Sequence, residues 1–303
     1  MFMKIVDIII LLFVPFLMAG IIKKTKAFWG GRKGASILQP FWDFVKLIKK
    51  DFVISNTTSQ VFRIAPIVMF ISVLFASMFI PLASGMALIN IAGGLILFAY
   101  TLSLGKFFAL VSAMDTGSSF EGMGASREAC FTSIVEPAFF ITVASIMALS
   151  GNISFESLQN ILTNAGSDGI LIMIFSVVVL FIMILIEGSR VPVDDPATHL
   201  ELTMIHEVMI LDNSGSDLAL FTWTNGMKML LISSLIAYMV IPANFEFRVL
   251  AYLAILFIIS VAIGTVESGM ARIRMSHVFE FIFIMSSLAL VVLSLVVARM
   301  FGG

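Results

Sequence analysis

Eight stretches of this chain are apolar for long enough to cross a hydrocarbon layer, and that leaves few ways to fold. Their approximate limits are 3–22, 64–84, 88–110, 128–149, 170–187, 226–242, 247–267 and 278–298. A bilayer core about 30 Å thick needs roughly 20 residues of helix. Inside it no water pairs with N–H and C=O groups, so each crossing must satisfy its own backbone, as an α-helix does. The chain is 60% hydrophobic and 12% charged, where a soluble domain carries about 25% charged residues. The expected fold is therefore all-α, a polytopic transmembrane helix bundle, with residues 1–303 forming a single integral membrane domain. The first run lacks a small-residue cleavage site and leads into a basic segment, so it reads as a retained span.

Charge orients the bundle. Lys23, Lys24, Lys26, Arg32, Lys33, Lys46, Lys49, Lys50 and Arg63 follow the first span. Lys106, Arg127, Arg190, Lys228, Arg272 and Arg274 fall on the same side as the chain crosses back and forth, and only Lys4, Arg248 and Arg299 fall opposite. Basic residues collect in the cytoplasm, which predicts both termini on the outer side. Between the first two spans Pro40 opens a short helix. Phe41, Phe44, Val45 and Ile48 follow at i, i+3, i+4, i+7 spacing, with Asp43, Lys46, Lys49 and Lys50 on the other face. This is an amphipathic interfacial helix, either a surface anchor or the frame of a pocket beneath a partner.

The polar stretch Glu187–Trp223 holds seven carboxylates: Glu187, Asp194, Asp195, Glu201, Glu207, Asp212 and Asp217. His199 and His206 accompany them. Asp195 and Pro196 predict a helix running to about Leu211 and closing at the Asn213–Ser214–Gly215 turn. Both histidines can share its face, and proton handling near neutral pH suits them better than a metal. The zinc-protease pattern HExxH fails, because position 210 is Ile. In Asp115–Pro137, Gly117, Gly122 and Gly124 predict a tight loop. Arg127 and Glu128 then start a helix that carries Glu136 about two and a half turns into the fourth span. A carboxylate at that depth is costly and points to a proton or ion path. Glu187 and Arg190 stand three apart, a spacing that permits pairing on a helix. Lys106 ends its span at a place from which it can snorkel, and Glu267 ends the seventh. These residues suggest an acidic relay of Glu136, Glu187, Asp194, Asp195, Glu201 and Glu267, balanced by Arg127 and Arg190, with His199 and His206 above. Asp194 and Asp195 repel, which favours one of them keeping its proton. The alternative is a cluster of salt bridges that seats a soluble arm.

Other chemistry is excluded. Cys130 is the one cysteine, so no internal disulfide and no multi-cysteine metal or iron–sulfur site is possible. No glycine-rich nucleotide loop and no nucleophile–base–acid set is present. The net charge of −1 argues against nucleic acid. The chain is expected to hold no cofactor and no metal of its own.

Arg32–Asp51, RKGASILQPFWDFVKLIKKD, resembles the RxGPxGxLQPxxDxxKL segment of the complex I subunit that joins the peripheral arm to the membrane arm. Gly124–Pro137, GASREACFTSIVEP, is similar to that family's arginine loop and following glutamate, with Arg127 and Glu136 at matching spacing. EGSRVPVDD resembles its ExNRxPFD motif at Glu187, Arg190, Pro192 and Asp194, and Asn213–Gly215 sits where the family has a YSG turn. The likeness runs in order through nearly the whole chain. Two departures narrow it. The family continues its motif with further acids, whereas Asp195–Pro196–Ala197–Thr198–His199 intervenes here before Glu201. DTGSSFEGMGASRE, Asp115–Glu128, is closer to the DTGSPFxxxGASRE of formate hydrogenlyase and related group 4 nickel–iron hydrogenases.

The resemblance implies a heel subunit of the hydrogenase-4 component C type in the cytoplasmic membrane. It would lie under the hydrogenase large and small subunits and an iron–sulfur subunit, beside antiporter-like membrane subunits. The nickel–iron centre and iron–sulfur clusters would belong to those partners. A subunit of this type carries no catalytic centre and couples the redox arm to proton or sodium movement. Arg32, Gln39, Pro40, Asp43, Lys46, Asp115 and Glu121 would face the soluble arm. The alternative is the quinone-chamber subunit of respiratory NADH:quinone oxidoreductase. The orientation has a direct check: in a Cys130→Ser background, a cysteine at Asp212 should react with an impermeant thiol reagent only after cells are permeabilised. Labelling of intact cells would reverse the assigned sides.

Overall fold

The structure, a computed structural model, describes residues 2–91, 93–151, 155–159, 168–195, 203–242 and 245–302. His199, Glu201 and the expected helix start at Pro196 lie outside them. The described residues form eleven helices and no strand: α1 (Phe2–Trp29), α2 (Gln39–Ile48), α3 (Gln60–Ser77), α4 (Gly94–Asp115), α5 (Ser119–Ser150), α6 (Glu156–Gln159), α7 (Gly169–Glu187), α8 (His206–Met209), α9 (Gly215–Val240), α10 (Arg248–Gly269) and α11 (Met275–Gly302). Seven of them, α1, α3, α4, α5, α7, α10 and α11, are long and apolar enough to cross a membrane. The eighth expected span is α9. Asp217, Asn225 and Lys228 make it less apolar, yet its 26 residues rise about 39 Å at 1.5 Å each.

Helix α9 is the axis of the bundle. From Met227 to Met239 every residue is buried, so the helix presents no face to lipid, as expected of a core element. Helices α1, α2, α3, α7 and α10 pack around it, while α5 and α11 pair at one side and α3 and α4 at another. Small residues allow the close crossings. A Cβ at Gly264 of α10 would stand 2.7 Å from Thr25 Cβ and 3.0 Å from the Ile22 carbonyl on α1.

Two local expectations are corrected. The glycines after Asp115 do not make one loop: only Gly117 has positive φ, at 70°, and α5 begins at Ser119. Gly124 is helical, and its bare Cα lets α5 approach α8, since a Cβ there would strike Val208. Nor does a helix run unbroken to Leu211. Thr203–Ile205 is irregular and α8 has four residues. The Asp194 carboxylate accepts the N–H groups of Ile205 and His206 at 3.2 and 3.0 Å. It therefore caps α8 from a distant segment. The turn lies at 210–212 instead, and Asn213 and Ser214 lead straight into α9, whose first residue Gly215 has φ 54°.

Gly264→Val should destabilise the α1–α10 crossing by about 1–3 kcal/mol through overpacking. Gly122, whose added Cβ meets nothing within 4 Å, should tolerate alanine with a gain of up to about 1 kcal/mol. Unfolding of the purified protein in detergent checks both.

Candidate functional site

Four helices carry buried charge to one point. Lys106 Nζ of α4 lies 2.5 Å from Glu187 Oε1 at the end of α7 and 3.4 Å from Glu128 Oε1 of α5. It donates to Thr132 Oγ1 at 2.9 Å. Lys228 Nζ of α9 stands 3.8 Å from the other Glu187 oxygen. Lys106, Lys228 and Glu187 are all buried. Lys106 therefore does not snorkel: it sits nine residues before the end of its helix and stays charged at depth because its counter-charge waits there. Glu136, on the same side, accepts a hydrogen bond from Ser103 Oγ at 2.8 Å. Glu136, Ser103, Lys106, Glu187 and Lys228 line one cavity of about 40 Å³, enough for a water molecule.

The expected Glu187–Arg190 pair does not form. Helix α7 ends at Glu187, and Ser189, at φ 52°, turns the chain away. Arg190 Nη1 reaches Glu267 Oε1 instead, at 3.4 Å, and Lys26 Nζ holds the other oxygen at 2.9 Å. Asp194 is a separate junction. Besides its two bonds to α8 it accepts the Asp195 N–H at 3.0 Å and faces Arg272 Nη2 at 3.1 Å. Arg272 also donates to the Thr203 hydroxyl and carbonyl. Burial pushes the Asp194 carboxyl up, and these donors pull it back. Burial, rather than repulsion from Asp195, is thus what raises it. Arg127 Nη1 donates to the Met204 carbonyl at 2.9 Å, fastening the same segment. His206 is buried, and burial, then the charges of Lys228 and Lys106, push its imidazole down to about 3. It is neutral at ordinary pH, which corrects its expected titration near neutrality.

A larger cavity, about 460 Å³, opens beside these groups between α1, α2, α8, α9 and the 188–190 turn. Phe16, Phe44 and Trp223 make its apolar wall, with ring centroids 5.1 Å (Phe16–Phe44) and 4.9 Å (Phe44–Trp223) apart. Lys26, Arg190, His206 and Glu267 line its polar side. Pro40 and Asp43 of α2 also line it, and Gln39 Nε2 holds Asp43 at 2.7 Å. Helix α2 thus frames a pocket, the second of its two readings. Arg32 and Lys46 are exposed. Asp115 instead accepts the Ser59 N–H at the start of α3, at 2.7 Å. Glu121 is fully buried and accepts the Asp212 N–H at 2.9 Å, so it cannot face a partner. Sequence reasoning missed Lys106, Lys228, Lys26, Glu128 and Arg272 as members of the site. The available signal was a lysine interrupting an apolar run, at 106 and at 228.

A family profile described as NADH dehydrogenase matches residues 3–298. The chain is 31% identical over 234 residues to hydrogenase-4 component C of Escherichia coli (strain K12), covering 77% of this chain and 73% of that one. It is 24% identical over 279 residues to formate hydrogenlyase subunit 4 of the same organism, covering 89% and 90%. With an NADH-quinone oxidoreductase subunit of Rickettsia africae (strain ESF-5) it shares 26% over 200 residues, covering 66% and 58%. Its fold matches, with a TM-score of 0.79 and 20% identity, a chain in the structure of the membrane-bound sulfane sulfur reductase, an archaeal respiratory membrane complex, over 96% and 97% of the two chains. The chain is a multi-pass membrane protein that belongs to the NADH dehydrogenase family, homologous to the membrane subunits of hydrogenase-4, formate hydrogenlyase and NADH-quinone oxidoreductase.

Proposed function

We propose that the chain is the membrane-anchoring and energy-coupling subunit of an energy-converting nickel–iron-hydrogenase-type complex, linking a soluble redox arm to ion translocation. The observation that carries this is the buried Lys106–Glu187–Lys228 cluster, which lines the Glu136 cavity on one side and whose two lysines act on His206 of the large cavity on the other. The resemblance to hydrogenase-4 component C supports the hydrogenase assignment. A charge arriving in the large cavity acts first on Lys26, Glu267 and Arg190 and then, across His206, on Glu187. Two charges about 8 Å apart interact by about 2 kcal/mol at an effective dielectric constant of about 20. That is enough to perturb the Lys106–Glu187 and Lys228–Glu187 ion pairs. Glu136, bordered by Ser103 and a water-sized cavity, is the inward acceptor. The nickel–iron centre and the clusters sit in partner subunits, and this chain binds, orients and responds. Both termini lie outside, with the large cavity toward the cytoplasmic arm.

The cavity itself favours a second reading. Its volume falls in the range of small-molecule sites, and its aromatic wall with a charged end suits a quinone. A purified complex that reduces quinone, with Phe44→Ala raising the quinone KM, would favour that reading.

Glu136→Gln keeps shape and hydrogen bonding but cannot ionise. The variant complex should assemble and pass electrons to artificial carriers, while the ions moved per electron fall sharply. An unaltered ratio removes Glu136 from the path. Lys106→Met should instead destabilise the protein by up to about 3–5 kcal/mol, the cost of breaking a buried pair. Metal and cofactor analysis of the purified single subunit should find none in stoichiometric amount. His206 gives a pH test. Its folded value, about 3, lies below the usual value of about 6.5, so its contribution to stability is complete above that value. The contribution is lost as pH falls toward the folded value. His206→Gln should flatten this acid limb in an unfolding titration and leave stability near neutral pH insensitive to proton concentration.

A further inference from the structure

Helix α2 has a second face, which the large cavity does not use. Pro40, Asp43, Phe44 and Leu47 line the cavity. At about 100° per residue, Trp42 and Lys49 lie within about 20° of each other on the opposite side, with Lys46 about 40° from Trp42. All three are exposed, Trp42 at 54%. Phe41 fixes which way this face is turned. Its ring meets that of Phe13 on α1 at 6.2 Å, and Phe13, on a helix able to cross the membrane, is itself 51% exposed. The Phe41 side of α2 therefore faces hydrocarbon, and the side of Lys46 and Lys50 faces water. Trp42 and Lys49 stand at the boundary, the level of lipid headgroups, where tryptophan collects. Among the described residues no carboxylate pairs with Lys46, Lys49 or Lys50. Asp43, the acid of this helix, lines the cavity instead and is held by Gln39 Nε2 at 2.7 Å. From Lys23 to Arg63 the sequence holds nine basic residues and two acidic ones.

We propose that the outer face of α2 binds an anionic phospholipid, with Lys46 and Lys49 on the headgroup and Trp42 against the upper part of the acyl chains. Charge complementarity carries the choice of occupant. An anionic headgroup supplies the counter-charge that the lysines lack within the described chain, and its tails cover the ring that the bundle leaves bare. The position of the residues separates this occupant from a protein. A soluble partner resting on the water side would cover Lys46 and Lys50 but leave Trp42 and Lys49 at the boundary. A crossing helix of another subunit would press apolar side chains against unpaired ammonium groups, which is costly. A lipid places charge and hydrocarbon at the two levels where this face needs them. Bound there, it seats α2 from outside, while Phe44 packs on Phe16 and Trp223 from inside. The inference concerns a surface outside the ion cluster and stands apart from the coupling function proposed above.

The test uses the whole complex in vesicles of unlabelled phosphatidylcholine, titrated with phosphatidylglycerol or phosphatidylcholine brominated on the acyl chains. Bromine quenches tryptophan on contact, and a Trp42→Phe complex measured in parallel isolates the signal of Trp42. Half-quenching should come at a mole fraction roughly 20-fold lower for phosphatidylglycerol, from about fivefold for each of two lysines, and the difference should shrink in high salt. Lys46→Gln with Lys49→Gln should abolish the preference without changing thermal unfolding, since both side chains are exposed. Equal quenching by the two lipids overturns the proposal and leaves a surface anchor without headgroup selection. Absence of quenching by either lipid also overturns it, because a partner subunit then covers Trp42. Should Trp42→Phe fail to fold, lipid carried through purification decides. Mass spectrometry should find phosphatidylglycerol retained by the wild-type complex and lost from the double lysine variant, and equal retention by the two refutes the site.

Discussion

A charge taken out of water must meet its counter-charge where it stops, and the architecture of this protein follows from that requirement. Glu187 ends α7 in a buried position and is met by lysines from two other helices, Lys106 of α4 and Lys228 of α9. In a low-dielectric interior the attraction offsets desolvation only if both partners are held in place. The buried stretch Met227–Met239 of α9 supplies that rigidity. A long helix that carries Asp217, Asn225 and Lys228 is therefore enclosed at the centre, and lipid is left to the helices that can tolerate it.

The same rule organises the loops. Asp194 gathers N–H groups from three residues and the guanidinium of Arg272, and Arg127 fastens Met204 from α5. Glu121 does likewise for Asp212. Acids that look like a surface field in the sequence are turned inward as fasteners. The floor of the large cavity consequently rests on ionic contacts, and Lys26, Glu267 and Arg190 line it directly.

Where sequence reasoning fails, it fails at pairings. A spacing of three residues matches Arg190 to Glu187, but positive φ at Ser189 ends the helical register on which that match depends. The end of an apolar run places Lys106 at the interface, yet α4 continues to Asp115. An imidazole ordinarily titrates near neutrality, but burial of His206, with the ammonium groups of Lys228 and Lys106 acting on it, pushes it well below that range. In each case the deciding partner or turn is set by the packing of other segments.

The sequence by itself determined the class of fold, the order of the apolar crossings, the interfacial helix at Pro40 and the family likeness. Each rests on a local property: an apolar run must be helical in lipid, and an amphipathic spacing shows within a few turns. It also singled out Glu136, Glu187 and Asp194 as residues whose charge needs explaining. Only the tertiary structure decided which cations answer them, that Glu136 and Glu187 share a cavity while Asp194 caps α8, and that α2 walls a chamber. Those outcomes depend on distances between helices roughly 30 to 120 residues apart in the chain, the separations from Lys106 to Glu136 and to Lys228. Electrostatic pairing selects among such distances, and no local pattern encodes them.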